Sequence, residues 1–154
     1  MLFNEDGEWI TYEFREFIGW RRRTLTEQLI QFPKQIDVFR PASSVSFHGK
    51  EPKHWDKTSQ DVASAVMQQW RGLPYGWSQI LKMALHYLPL LRLVPQETKD
   101  DATPSTFVCS TAVAVALRRS FCDMVPFLSD GMVTPTDLAR SALLEYQFSI
   151  TEDR

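Results

Sequence analysis

The chain has 154 residues, of which 44% are hydrophobic and 23% are charged, and its formal net charge is −2 at pH 7. This length suits one domain with a hydrophobic core and is short for two, so we expect residues 1–154 to form a single domain. The ordinary composition argues against wholesale disorder. The small negative charge gives no general reason to expect a nucleic-acid partner.

No targeting segment or membrane-spanning segment is predicted. The N-terminus carries several acidic residues and lacks the pattern of a secretory signal, so we expect synthesis in the cytosol. The longest apolar run, around Tyr87 to Val94, is interrupted by Pro89 and Arg92 and is far too short to cross a bilayer.

The N-terminal residues 1–17 have the near-alternating pattern of strands. Asp6-Gly7 is a turn signal, which predicts a hairpin with a short first strand before it. The basic run Arg21–Arg23 has no accompanying pattern of stacking aromatic residues. We interpret it as a solvated strand end or turn in preference to a phosphate site.

A short helix, a strand and a linker are predicted next. Thr24 and Glu27 have the spacing of a capping box, and Pro33 ends the helix that they begin. Ile36–Arg40 is a compact strand, stopped by the proline that follows it. Residues 42–57, rich in serine, glycine and proline, are predicted to be a polar linker.

Two helices are predicted in the central part of the chain. A capping box over Thr58–Asp61 begins an amphipathic helix that continues to Trp70. Gly72–Trp77 interrupts it, and we interpret this segment as a tight helix–helix turn with aromatic packing. Apolar residues then recur at helical spacing up to Pro89, and residues 96–104 form a polar loop.

The run Thr106–Arg119 predicts a helix that begins at Cys109. A thiol at a helix start feels unpaired backbone N–H groups and the positive end of the helix dipole, which favour the thiolate. This arrangement is typical of a cysteine nucleophile. The alternative is a buried structural cysteine, since free cysteine is among the most buried residue types, and we interpret Cys122 in that way.

The C-terminal part predicts a helix and a final strand. Thr134–Asp137 supplies an N-cap, a proline at the first helical position and an acid at the third, before a short helix over Leu138–Leu144. Tyr146–Ile150 alternates and is predicted to be a strand. Together these elements predict an α+β domain, with a small antiparallel sheet packed against helices.

Several segments together resemble the circularly permuted, NlpC-like papain-fold cysteine hydrolases, in the YiiX-like branch. The matching segments, in chain order, are Ile36–Pro41, Gly72–Trp77, the hydrophobic helix after Trp77, Phe107–Ser110 and Thr134–Ser141. Their order and spacing extend across roughly residues 8–145, which is harder to obtain by chance than any one of them. The resemblance implies a permuted papain-like fold and cleavage of amide or ester bonds in peptide or lipid-linked substrates. It also implies that Cys109 occupies the nucleophile position.

The catalytic base is the part of the family pattern that the sequence does not match. In the family, the base is a histidine on a strand upstream of the strand pair that corresponds to Met1–Phe14, so the resemblance implies an incomplete site. His48 is our candidate for a substitute base, ahead of His54 and His86. For each of these histidines, the alternative interpretation is a solvent-facing or packed side chain without a catalytic role. The scattered cysteines and histidines lack metal-ligand spacing, and no metal or cofactor is predicted.

Two functions of different classes are therefore expected. The first is a thiol hydrolase in which Cys109 attacks and His48, or a histidine of a partner chain, is the base. The second is a catalytically silent structural or interaction module, in which protein subunits cover an exposed sheet edge or apolar face. Domains of this family occur in bacteria and bacterial viruses, so the second function implies a virion or tail-associated component.

Overall fold

The computed structural model describes residues 1–31, 35–42, 55–87 and 107–151. A short 3₁₀ turn, Asp130–Met132, precedes the last helix. The elements are, in chain order, β1 (Leu2–Glu5), β2 (Glu8–Arg15), β3 (Gly19–Thr24), α1 (Leu25–Gln31), β4 (Ile36–Pro41), α2 (Lys57–Gln69), α3 (Trp77–Tyr87), α4 (Cys109–Arg119), α5 (Pro135–Ala139) and β5 (Leu144–Ile150). The expected α+β class is confirmed.

The strands form two antiparallel sheets. The first has the order β1-β2-β3, and the second pairs β4 with β5. The hairpin expected at Asp6-Gly7 is confirmed, because both residues have positive φ values, 51° and 91°, as a type I′ turn requires. The basic run lies within β3, where Arg21 forms an ion pair with Glu13 of β2.

The hydrophobic core lies between one face of the three-stranded sheet and helices α2 and α4. Ile10, Tyr12 and Phe14 alternate along β2 and are at most 3% exposed. The Phe107 ring, just before α4, lies 4.1 Å from the Trp70 ring and 5.2 Å from the Phe14 ring, measured between centroids. These rings bring the end of α2 and the start of α4 together against the sheet.

Helix α1 begins as its capping box predicts. The Thr24 hydroxyl accepts a hydrogen bond from the Glu27 N–H at 3.1 Å, and the Glu27 carboxylate accepts one from the Thr24 N–H at 2.9 Å. The helix ends expected at Pro33 and Pro89, and the loop expected at 96–104, lie outside the described residues.

The start of α2 differs from the expected one. Asp56 is the N-cap in place of Thr58, and its carboxylate accepts a hydrogen bond from the Ser59 N–H at 2.8 Å. Trp55 is only 8% exposed and belongs to the core. The polar linker expected over 42–57 therefore ends earlier, because burial of this indole fixes the approach to the helix.

The C-terminal boundary also differs. The capping box between Thr134 and Asp137 is confirmed, with the two reciprocal hydrogen bonds in place. However, α5 ends at Ala139, whereas the expected helix continued to Leu144. Leu144 is the first residue of β5, because its ladder with β4 replaces the hydrogen bonds that a longer helix would have made.

No helix in the described ranges has the length and apolar character that crossing a bilayer demands.

Candidate active site

Cys109 is the first residue of α4, as the sequence predicts. The residue before it, Val108, has an extended backbone and no side-chain atom that could cap the helix. The N–H groups of the first helical turn have no intrahelical partner, and the positive end of the helix dipole lies at the same place. The thiol therefore lies where a developing negative charge is favoured.

The segment before Cys109 is fixed by the turn between α2 and α3. Tyr75 and Phe107 form a parallel β-bridge, in which the Gly76 N–H donates to the Phe107 carbonyl at 2.8 Å. The Val108 N–H donates to the side-chain oxygen of Gln79 at 3.1 Å. A Cβ atom at Gly76 would lie 3.0 Å from the Phe107 carbonyl carbon and 3.2 Å from the Val108 nitrogen. Glycine is thus what allows this close approach.

Tyr75 is the functional side chain that sequence reasoning missed. Its side chain lies near the Cys109 thiol. Burial raises the pKa of Tyr75 to about 12, together with the negative charges of Cys109 and Glu16. The hydroxyl is therefore protonated, and a donor, throughout the neutral range. The sequence indicated only aromatic packing here, because the bridge to Phe107 joins distant segments and leaves no local pattern.

A cavity of about 940 Å³ opens beside the thiol. It lies between α1, β4 and β2, and residues from both faces of β2 line it, among them Glu13 and the core residue Phe14. Apolar side chains from several elements line it together with Cys109, including Leu25, Ile36, Val38 and Ile150. A substrate portion larger than an acetyl group can therefore lie against the sulfur.

The polar side of the cavity is built around the Glu13 carboxylate. Arg21 forms an ion pair with Glu13, and the Gln28 amide donates to the same carboxylate at 3.3 Å. The Glu13 side chain is thus engaged in these contacts. The Gln28 carbonyl oxygen is buried and has no hydrogen-bond partner among the described residues.

The expected bases are not placed at the site by the described residues. His48 and His54 lie outside them, and His86 lies in α3 where only its backbone is described. The role of His48 therefore stays a prediction. Within the described ranges, no group of three or more histidine, cysteine, aspartate or glutamate side chains could hold a metal ion.

The two cysteines occupy different environments. Cys122 is 1% exposed, which confirms the interpretation of it as a small buried residue, whereas Cys109 is partly exposed. Both are free thiols.

No protein-family model, no curated protein and no solved structure matches this chain.

Proposed function

We propose that this chain carries a papain-like thiol hydrolase-type site, in which Cys109 attacks the carbonyl carbon of an amide or ester. The observation that supports the proposal is the position of the thiol. It lies at the start of α4, near Tyr75, and lines a cavity of about 940 Å³. A purely structural cysteine would be enclosed, as Cys122 is.

The reaction forms a bond between the Cys109 sulfur and the carbonyl carbon, while the carbonyl oxygen takes the electron pair as an oxyanion. N–H groups of the first turn of α4, including that of Cys109, are the available donors to this oxyanion. The bond to the amine or alcohol then breaks, and the leaving group takes up a proton. Water hydrolyses the resulting thioester and releases the thiol.

Tyr75 is not the base in this mechanism. Because its pKa is about 12, its hydroxyl stays protonated and does not remove the thiol proton near neutrality. Deprotonation of the thiol therefore needs another group, for which His48 or a histidine of a partner chain is the proposed source. General-base assistance typically contributes about 10²- to 10⁴-fold in rate, so its source determines whether the site turns over efficiently.

Alkylation by iodoacetamide at pH 7 tests the nucleophile. We expect Cys109 to react about tenfold or more faster than glutathione, because it is partly exposed at the N-terminal end of α4. Cys109→Ser should abolish this labelling, and Cys122→Ala should preserve it. A Cys109 no more reactive than glutathione contradicts the proposal.

Turnover is tested separately with p-nitrophenyl acetate. A hydrolase should show continued release of p-nitrophenol that Cys109→Ser removes and that His48→Ala reduces if His48 is the base. Labelling without turnover would retain Cys109 as a reactive thiol and reject the hydrolase.

A specific surface favours the second function, an interaction module. Phe39, Tyr146 and Phe148 on β4 and β5 are 41%, 56% and 52% exposed. The Phe39 and Tyr146 rings meet edge to face at 5.8 Å, because these two residues pair directly across the strands, whereas Phe148 pairs with Val38 beyond a β-bulge. Exposed clusters of this kind are typical of contact surfaces. As the alternative, we propose that another protein subunit, such as a virion component, covers this face.

Light scattering coupled to size-exclusion chromatography tests whether the covering subunit is a second copy of the chain. Self-association through this face should depend on concentration and should be lost in Tyr146→Glu. Phe121→Glu, which changes an equally exposed aromatic residue after α4, is the matched control. A monomer at every concentration contradicts self-association.

A further inference from the structure

We infer that Phe17 and Trp77 form a subsite that binds an aryl or branched alkyl group of the substrate beside Cys109. This aromatic pair lies where the β2–β3 turn meets the start of α3. The inference rests on the proposed function to the extent that the thiol is the reacting group. It adds the chemical class of one part of the substrate.

The backbone at Phe17 is the first observation. Its φ value is 63°, in the left-handed region that residues with a Cβ atom rarely adopt, and its side chain is 87% exposed. This backbone conformation costs folding free energy. Because the Phe17 ring is so exposed, its burial offsets little of that cost. Folding stability therefore gives no reason for a phenylalanine here, where glycine would adopt the same backbone without strain.

A continuous series of contacts connects this ring to the segment that ends at Cys109. The Phe17 and Trp77 ring centroids are 5.2 Å apart, and the Trp77 and Tyr75 centroids are 5.4 Å apart. The Gly76 N–H, between Tyr75 and Trp77, donates to the Phe107 carbonyl at 2.8 Å. The Val108 N–H donates to Gln79 of α3 at 3.1 Å. The start of α3 therefore lies against the segment that ends at Cys109.

The chemistry of the surface defines the group that it binds. Trp77 is 46% exposed and Ile18, next to Phe17, is 58% exposed, so the aromatic pair extends into a small apolar surface. Aromatic faces at these separations accommodate a further ring or a branched alkyl group by tilted packing. Neither Phe17 nor Trp77 lines the cavity beside Cys109. The aromatic pair is therefore a surface separate from the cavity, and the inferred substrate places one part in the cavity and an apolar group on the aromatic pair.

Matched alkylating reagents test the subsite without requiring hydrolysis. Iodoacetamide and N-benzyliodoacetamide carry the same reactive carbon, and in both the thiolate displaces iodide and forms one C–S bond. Each rate constant is divided by that of glutathione with the same reagent. We expect the benzyl reagent to be favoured by about tenfold at Cys109, because the subsite removes the added ring from water.

The variants separate the subsite from other effects. Phe17→Gly and Trp77→Ala should each lower the preference for the benzyl reagent toward one, when each rate is expressed relative to the iodoacetamide rate of the same variant. Phe127→Ala, which removes a ring that is 91% exposed, is the matched control and should retain the preference. Glycine at position 17 keeps the backbone conformation, so misfolding does not confuse this result.

The outcomes distinguish this inference from the proposed function. A preference that is equal in the wild type, Phe17→Gly and Phe127→Ala overturns the subsite, even if ester turnover persists. A preference that depends on Phe17, without any ester turnover, supports the subsite and rejects the hydrolase. A Cys109 that neither reagent modifies overturns both. If the preference is absent and Phe17→Gly abolishes concentration-dependent association, the aromatic pair is a protein contact instead of a substrate subsite.

Discussion

The two faces of β2 divide the molecule into a core side and a cavity side. Ile10 and Phe14 point to the core and are at most 3% exposed. Thr11, Glu13 and Arg15 alternate with these core residues, are partly exposed and line the cavity beside Cys109, which Phe14 also reaches from the core side. Because successive side chains of a strand point to opposite faces, one strand supplies both the packing and a wall of the candidate site.

The elements on each side differ in the same way. The core side holds α2 and α4, with rings such as Trp70 and Phe107 fully enclosed. On the cavity side, α1 has no buried residue, and the aromatic side chains of β4 and β5 are about half exposed. The comparison teaches that stability is concentrated on the core side, where apolar burial is greatest and where the helix that carries Cys109 is anchored.

The largest expected effect comes from removing an enclosed ring on the core side. Phe107→Ala should lower the free energy of unfolding by about 3–5 kcal/mol, because it leaves a cavity beside Trp70. Urea denaturation followed by fluorescence measures this change. Phe148→Ala on the cavity side is the matched control and should cost less than about 1 kcal/mol. Equal losses would contradict the division of stability between the two sides.

The next largest effect is expected where β3 touches the α2–α3 turn. Gly19 has a φ value of 81°, and an added Cβ atom would lie 2.4 Å from the Leu73 carbonyl oxygen. That oxygen also accepts the Trp20 N–H at 3.0 Å, so it cannot move freely. Gly19→Ala should cost about 2–4 kcal/mol, measured by denaturant unfolding.

Gly7→Ala provides the comparison for Gly19→Ala. Gly7 also has a positive φ value, 91°, but its added Cβ atom would meet no atom within 4 Å. Its cost should be about 1 kcal/mol, from the backbone conformation alone. Similar costs at the two positions would show that the contact with the α2–α3 turn contributes nothing.

A smaller and pH-dependent effect is expected at Glu5, where β1 meets α2. Burial raises the pKa of Glu5, but hydrogen bonds from Tyr12 and Arg22 outweigh it and hold the pKa below the ordinary value of 4.5. The stabilisation is therefore present above pH 4.5 and is lost as the pH falls through the folded-state pKa. Glu5→Gln should cost about 1 kcal/mol or less at pH 7 and progressively less in acid, measured as melting temperature against pH. A pH-independent difference would reject this linkage.

The smallest effect on stability is expected at the aromatic pair. Phe17→Gly removes the strain of a phenylalanine in the left-handed region, which stabilises the fold, but it also increases the conformational entropy of the unfolded chain, which destabilises it. The two effects on the free energy of unfolding should cancel to within about 0.5 kcal/mol. Thermal unfolding of this variant and the wild type measures the balance. A loss above 1 kcal/mol would show that the Phe17 ring stabilises the fold, which removes the first argument for the subsite.

Local signals in the sequence predicted part of this fold correctly. The type I′ turn at Asp6-Gly7 and the capping box at Thr134–Asp137 depend on residues within four positions of one another, and both are present. Predictions failed where distant contacts compete. Asp56 caps α2 because Trp55 is held in the core, and Leu144 joins a strand because β4 offers a hydrogen-bonding partner.

The sequence alone determined that Cys109 begins a helix, because the small and apolar residues after it favour helix and its position follows from the local pattern. Only the tertiary structure decided what surrounds the thiol. The Tyr75 hydroxyl, the close approach at Gly76 and the cavity behind β2 all come from segments far apart in the chain. The physical reason is that caps and turns depend on neighbouring residues, whereas contacts between distant segments are set by how the whole core packs.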